Sequence, residues 1–165
     1  MRKITNQYSN GRLVITDENE ENFDFSQVPD KVKEISRNWY QKVTCIREVL
    51  PRIYLELSVV ASARYMNRKV HQGDLIRLAK MCRGIAEPLC CSYTCAYLAR
   101  VGNQIDPSNK EYLLLLVEHL FKLYDMTVKK GHAFLQPDQY KILFDPPIDW
   151  LMQCIGYQAD RDLFG

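Results

Sequence analysis

Pro51 interrupts a long stretch of helical pattern, and this interruption most constrains how the chain can fold. Upstream, Val32, Ile35, Trp39, Val43, Ile46 and Leu50 recur at spacings of three and four, the stripe of an amphipathic helix. Downstream, Tyr54, Leu57, Ala61 and Tyr65 continue a second stripe. A proline inside one continuous helix would lose a backbone hydrogen bond and collide with the preceding turn. The same residue suits the first turn of a new helix, where its missing N–H has no partner anyway. The sequence therefore predicts one helix from about Asp30 to Leu50 and another from Pro51 to about Asn67. With no linker between them, they form an antiparallel hairpin or a sharply bent pair. Arg52 then stands on a first helical turn, where the dipole favours acids. Two readings stay open: it is kept for a partner, or its stem covers apolar neighbours.

The rest of the chain repeats the theme. Lys69 to Gly73 reads as a polar loop, and Asp74 as the N-cap of a third helix, Leu75 to about Ile85, stopped by Gly84 and Pro88. A fourth helix, Pro88 to Val101, is apolar nearly all round and belongs between other helices, with Gly102 as its C-terminal cap. Ser108 and Glu111 suggest a capping box for a fifth helix, Asn109 to about Lys130. His132 to Pro147 reads as an irregular connector with at most one helical turn near Tyr140. A last helix then starts near Ile148 and reaches Cys154 or Gly156. The expected fold is all-α, about six helices paired at short turns. There is no fixed repeat, so it fits an irregular HEAT-like α-solenoid fragment, with a compact bundle as the other architecture.

Charge divides the chain. Asp17 to Asp30 holds six acids and no bases, whereas Lys31 to Arg83 holds twelve bases against four acids. Residues 1–28 therefore read as an acidic mobile arm, in which Leu13 to Ile15 could make a short strand but lacks an evident partner. Residues 29–165 form the helical domain, expected to be incomplete at its C-terminus. No secretory signal is visible, and the longest apolar run, Tyr112 to Val117, is far short of a membrane span. The six cysteines read as reduced thiols of a cytoplasmic protein, not as a disulfide framework.

No constellation argues for catalysis. Cys90, Cys91 and Cys95 lie among Tyr93, Ala96, Tyr97 and Leu98, where free cysteine packs as a small hydrophobe. The spacing lacks the second ligand pair of a zinc site. His71, His119 and His132 are far apart, and Glu118, Asp145 and Asp149 are unpaired in sequence. The expectation is a non-enzyme without metal, cofactor or small-molecule substrate. Arg64, Arg68, Lys69, Arg77 and Lys80 could form a phosphate-binding patch, which makes a small nucleic-acid-binding protein the alternative function for region 31–83. No nucleic-acid-binding motif accompanies the patch, so an acidic protein surface is the better partner for it.

Two blocks carry a resemblance. Leu50-Pro51-Arg52-Ile53-Tyr54-Leu55 resembles the Pro-Arg-Leu-Tyr-Leu signature of the retromer large subunit. Met81 to Ile85, Pro88-Leu89 and Ala96 to Gly102 supply a second block. This variant of the blocks is more similar to the paralogous scaffold of the retriever complex, the vacuolar protein sorting 35-like family, and Asn38-Trp39-Tyr40, Pro146 to Trp150 and Gln153 to Ile155 fit that paralogue too. The resemblance covers about residues 29 to 157. It implies the N-terminal part of an α-solenoid scaffold, peripherally associated with endosomes, whose membrane association is indirect. In that family the N-terminal helices bind an arrestin-like small subunit, and a sorting-nexin adaptor brings cargo to the full complex for recycling. Carried over residue by residue, Pro51, Arg52, Ile53, Tyr54 and Leu55 would shape or make the small-subunit contact, with Ile53 in place of the retromer-type Leu. Arg83, Gly84 and Pro88 would set helix geometry. Family members are several times longer, so an isolated segment is expected to be marginally stable, self-associating or dependent on a partner.

Overall fold

The computed structural model describes residues 8–9, 12–13, 28–60, 70–130 and 135–157. Within them lie six helices: α1 (Asp30–Thr44), α2 (Val49–Val60), α3 (Val70–Met81), α4 (Pro88–Ile105), α5 (Glu111–Lys130) and α6 (Pro137–Gly156). A 3₁₀ turn at Cys82–Gly84 follows α3. Two short strands, β1 (Tyr8–Ser9) and β2 (Arg12–Leu13), pair antiparallel with Tyr8 opposite Leu13. Leu13 thus has the strand partner that its sequence did not disclose. The rest of the expected acidic arm before Val28 lies outside the described residues.

The packing order explains why the chain reads as helix after helix. α1 packs on α2, and α2 on α3 and α4. α3 packs on α4 and α5, and α4 on α5 and α6. From α2 onward each helix therefore meets its next-but-one neighbour as well as its successor. That alternation places α2, α4 and α6 in one layer and α3 and α5 in the other, the arrangement of a solenoid-like all-α stack. Each helix buries one stripe: Ile53, Leu57 and Val60 from α2, Leu75, Leu78 and Ala79 from α3, and Leu113, Leu116 and Leu120 from α5. Burying one such side chain contributes about 1.5–3 kcal/mol. α4, in the middle, buries residues on most sides, including Cys91, Ser92, Thr94, Cys95, Ala96, Leu98 and Ala99.

Several boundaries differ from the sequence expectation, each for a physical reason. The break after α1 comes at Cys45–Glu48, before Pro51 and not at it. Val49 and Leu50 belong to α2, and Pro51 is its third residue, still where a missing N–H costs no helical bond. Arg52 makes the first helical bond of this turn, to the carbonyl of Glu48 at 3.1 Å. The expected loop up to Gly73 is helical from Val70, so Asp74 is no N-cap; it lies within α3 and is buried. α4 runs through Gly102 to Ile105. A Cβ at Gly102 would stand 2.6 Å from the Tyr112 hydroxyl oxygen, so this glycine serves the close approach of α5 and is not a cap. Before α5, Ser108 turns to Asp106, donating its hydroxyl at 2.6 Å, while Asn109 Oδ1 takes the Glu111 N–H at 3.2 Å. These side chains replace the expected Ser108–Glu111 capping box.

α6 is the largest departure. Pro146 and Pro147 lie inside a twenty-residue helix, in sequence expected to be a connector. The two bonds they forgo would have reached the carbonyls of Ile142 and Leu143, and both residues are exposed, so water can serve those carbonyls. The inward stripe Tyr140, Phe144, Pro147, Leu151 and Cys154 runs through the prolines unbroken. At the helix start Gln139 reaches back to the Gln136 N–H at 3.0 Å. At its end Lys110 binds the carbonyls of Cys154 and Tyr157 at 3.0 and 2.9 Å.

Candidate functional site

The signature octapeptide divides its side chains between two tasks. Ile53 is fully buried, while Pro51, Tyr54 and Leu55 are exposed. Tyr54 and Leu55 retain 39% and 44% of their surface, so neither belongs to the core stripe. Tyr54 stacks on Tyr97 of α4, centroids 5.0 Å apart, and Tyr97 is itself 38% exposed. The outcome is an aromatic and aliphatic ledge across α2 and α4, carried on buried Ile53.

Arg52 points to Glu56, one helical turn on. Its Nε donates to Oε1 at 2.6 Å. Glu56 has no exposed surface, and its other oxygen is held by Arg77 of α3. Arg77 also reaches Asp74 Oδ1 and the Tyr40 hydroxyl oxygen, each at 3.3 Å. Tyr40 of α1 in turn donates its hydroxyl to Asp74. Five side chains thus join α1, α2 and α3 through one polar network. Burial alone would raise the Glu56 pKa, but the hydrogen bonds and charges of Arg77 and Arg52 outweigh it and hold the carboxyl below its ordinary value. The same pairing raises Arg77 against its own desolvation, and burial followed by Asp74 raises Tyr40. One oxygen of Asp74 is buried without a hydrogen-bond partner among the described residues.

This network answers the question posed by Arg52. A cation in the first helical turn is unfavourable by about 0.3–1 kcal/mol. An unpaired buried carboxylate costs several kcal/mol. Neutralising Glu56 therefore outweighs the dipole. The i,i+4 spacing of Arg52 and Glu56 was the available signal; the partners from α1 and α3, at 34- and 21-residue separations, had none.

Other sequence candidates separate. His119 Nε2 lies 3.2 Å from Cys91 Sγ, a meeting across α4 and α5 that sequence did not show. The Cys95 hydrogen bond and the His119 ring draw the Cys91 thiol down to about 6 against the effect of burial. Hydrogen bonds with Cys82 and Cys91 push Cys95 up. Cys91 also lies 3.2 Å from the Cys82 carbonyl oxygen. Cys82, Cys91 and Cys95 have no exposed surface, whereas His119 is half-buried. Among the described residues no three His, Cys, Asp or Glu side chains are placed to hold a metal. Glu118 pairs with Lys122 and Arg83 on the surface. The side chains of Arg64, Arg68, Lys69, His71 and His132, as well as Ala61 and Tyr65, lie outside the described residues. Arg77, expected in the basic patch, is committed to Glu56 instead.

A comparison with known proteins places the chain in a family. The VPS35L family model matches residues 2–141. The chain belongs to the VPS35L family. A protein of Danio rerio, "VPS35 endosomal protein-sorting factor-like", is 35% identical over 151 residues, covering 87% of this chain and 16% of that relative. Its Homo sapiens namesake is 35% identical over 144 residues, covering 81% and 14%. The Dictyostelium discoideum relative is 29% identical over 140 residues, covering 79% and 14%. The chain thus spans only 14% to 16% of the length of these VPS35L relatives. The resemblance read from the two motif blocks holds. Among the described residues no helix is long and apolar enough to cross a membrane.

Proposed function

We propose that this chain is the N-terminal scaffold segment of an endosomal protein-sorting complex, and that its α2 corner binds an arrestin-like small subunit. The single observation supporting the binding site is the division of the signature: Pro51, Tyr54 and Leu55 face outward while Arg52 and Ile53 fix them from behind. Exposed aromatic and aliphatic groups on a rigid, charge-braced element are what a protein interface requires. In this reading Arg52 is a positioning residue and Tyr54 and Leu55 make contact. A sorting-nexin adaptor would bring cargo to the complete assembly for endosome-to-plasma-membrane recycling. The segment would act in the cytoplasm and meet the endosome through its partners.

The reading is tested by pull-down of the chain with the arrestin-like small subunit of a VPS35L-type complex. The parent and Lys122→Ala are expected to bind. Leu55→Asp is expected to abolish capture with the helical circular dichroism unchanged. Arg52→Ala should weaken capture only as far as it loosens α2. Equal capture by the parent and by Leu55→Asp would remove the corner from the interface.

A further inference from the structure

α4 meets solvent along one narrow strip. Cys90, Tyr97, Arg100 and Gln104 are exposed and Tyr93 is half-buried, whereas most of the helix between them is buried. These five recur at alternating spacings of three and four, so they share one face. Polar side chains normally fill such a strip. Here its centre is two tyrosines, and each is in ring contact with a different neighbouring helix. Tyr97 stacks on Tyr54 of α2, and Tyr93 stands edge-on to Trp150 of α6, centroids 6.3 Å apart. Four rings thus mark a path from α2 across α4 to α6, along the outward side of the layer those helices form. On α6, Leu143 and Tyr157 stand seven residues either side of Trp150, on the same flank, and both are exposed.

The α2 corner alone is too small to hold a folded partner. Tyr54 and Leu55 together leave on the order of 150–200 Å² accessible. A specific interface takes about 800 Å² from each side. The remaining area must come from beside the corner, and the surface joined to it through the Tyr54–Tyr97 stack is this ridge. The path crosses two interhelical spacings of about 8–10 Å each, a width suited to a folded domain. Its composition also suits an interface core: Tyr and Trp, with Arg100 one helical turn from Tyr97, are the side chains on which binding hot spots are built.

We propose that the small subunit covers the whole ridge, Tyr54–Tyr97–Tyr93–Trp150, and not the α2 corner alone; this rests on the reading of the corner given above. The partner surface that fits is apolar at its centre, over the rings, with hydrogen-bond acceptors at its edge for Arg100 and for the phenol and indole donors. Trp150 is then the anchor farthest from the signature, and α4 and α6 take part in recognition although the signature lies at α2.

Titration of the full chain with the purified arrestin-like small subunit, read by biolayer interferometry, tests this. Trp150 and Met152 are 40% and 41% exposed and flank the buried stripe of α6 on opposite sides, so they form a matched pair. Trp150→Asp is expected to weaken binding about tenfold or more. Met152→Asp should bind as the parent does, with helical circular dichroism unchanged in both. Arg100→Glu disturbs no ring contact and should also weaken binding, which keeps the test decisive if Trp150→Asp loses helix. Loss of binding in Leu55→Asp with parental affinity in Trp150→Asp and Arg100→Glu would confine the interface to α2, overturning the ridge and leaving the corner. Parental affinity in Leu55→Asp as well would remove the corner and the ridge together. Equal weakening by Trp150→Asp and Met152→Asp would be a general effect of added charge and would overturn the ridge too.

Discussion

The corner where α1, α2 and α3 meet and the seam among α4, α5 and α6 are both buried, but they are closed by different forces. At the seam the contacts are shape: Phe144, Leu151, Leu98 and Leu116 are buried in one apolar cluster, the Tyr124 and Phe144 rings stand edge to face with centroids 5.5 Å apart, and Gly102 lets α5 approach. At the corner a fully buried carboxylate is balanced by two guanidiniums from two helices. Apolar packing loses stability in proportion to what is removed. A charge network loses it according to what is left behind, so one deletion can cost more than the pair contributes. The seam is a place of bulk stability; the corner sets how the signature of α2 is held.

The largest effect should come from the seam. Phe144→Ala is expected to lower unfolding free energy by about 3–5 kcal/mol in urea titrations followed by circular dichroism. Arg77→Ala, at the corner, should cost less, about 2 kcal/mol, because Arg52 still pairs with Glu56 and the Arg77 side chain is 37% exposed and partly screened. The decisive difference is rescue. Glu56→Gln in the Arg77→Ala background should recover part of the loss by removing the unbalanced charge. No second polar substitution is expected to recover Phe144→Ala. A Glu56→Gln change that leaves Arg77→Ala unaltered would mean the corner is held by packing after all.

Gly102→Ala probes the seam at its tightest point and should cost about 1–3 kcal/mol through overpacking. The added Cβ meets the end of the Tyr112 ring, which is fully buried and donates its hydroxyl to the Ala99 carbonyl at 3.1 Å. Tyr112→Phe in the same background would lose that bond and relieve the closest contact. Partial recovery of the thermal midpoint would place the clash at the hydroxyl.

What the sequence made legible follows the same division. The stripes of α2, α4 and α5 announce the all-α stack because a 3.6-residue period is local information. The signature around Pro51 announces the corner, yet its real helix break lies at Cys45–Glu48, upstream of the proline. Pro146 and Pro147 read as breakers because the cost of a helical proline depends on whether the freed carbonyls are wet. Exposed Ile142 and Leu143 settle that only in three dimensions. The stripe from Tyr140 to Cys154 was a usable signal that outweighs two missing hydrogen bonds. Asp74 was misread as a cap because its partners, Tyr40 and Arg77, are a matter of tertiary position. Of the five signature residues, sequence named the place but not the division of labour. Arg52 faces inward to Glu56, whereas Tyr54 leans outward onto Tyr97.

Acid should separate the two regions more gently. Glu56 is held below its ordinary value of 4.5, so its unfolded form binds protons first as pH falls. Its contribution is complete above that ordinary range and is lost as pH drops through the lowered folded-state value. The parent should therefore lose stability on acidification more steeply than Arg77→Ala, whose Glu56 is less depressed. Phe144→Ala should run parallel to the parent at a lower level. Thermal midpoints measured from neutral pH down through the carboxylate range check this, and parallel curves for all three proteins would remove Glu56 from the acid response.

The smallest effect is expected where charge is abundant but wet. Lys122 pairs with Glu118 on α5, and Arg83 comes within 3.9 Å of the other Glu118 oxygen. The pairing is as direct as that at the corner, and the Lys122 hydrogen bond lowers the Glu118 pKa in the same direction as that of Glu56. Yet Lys122 is 67% exposed and Glu118 51% exposed. Water and salt solvate either partner when the other is removed, so no buried charge is stranded. Lys122→Ala should leave the urea midpoint unchanged within error at moderate salt. A shift as large as that of Arg77→Ala would show that close ion pairs stabilise this chain wherever they stand. Burial would then no longer be what distinguishes the α2 corner, and the inward turn of Arg52 would need another cause.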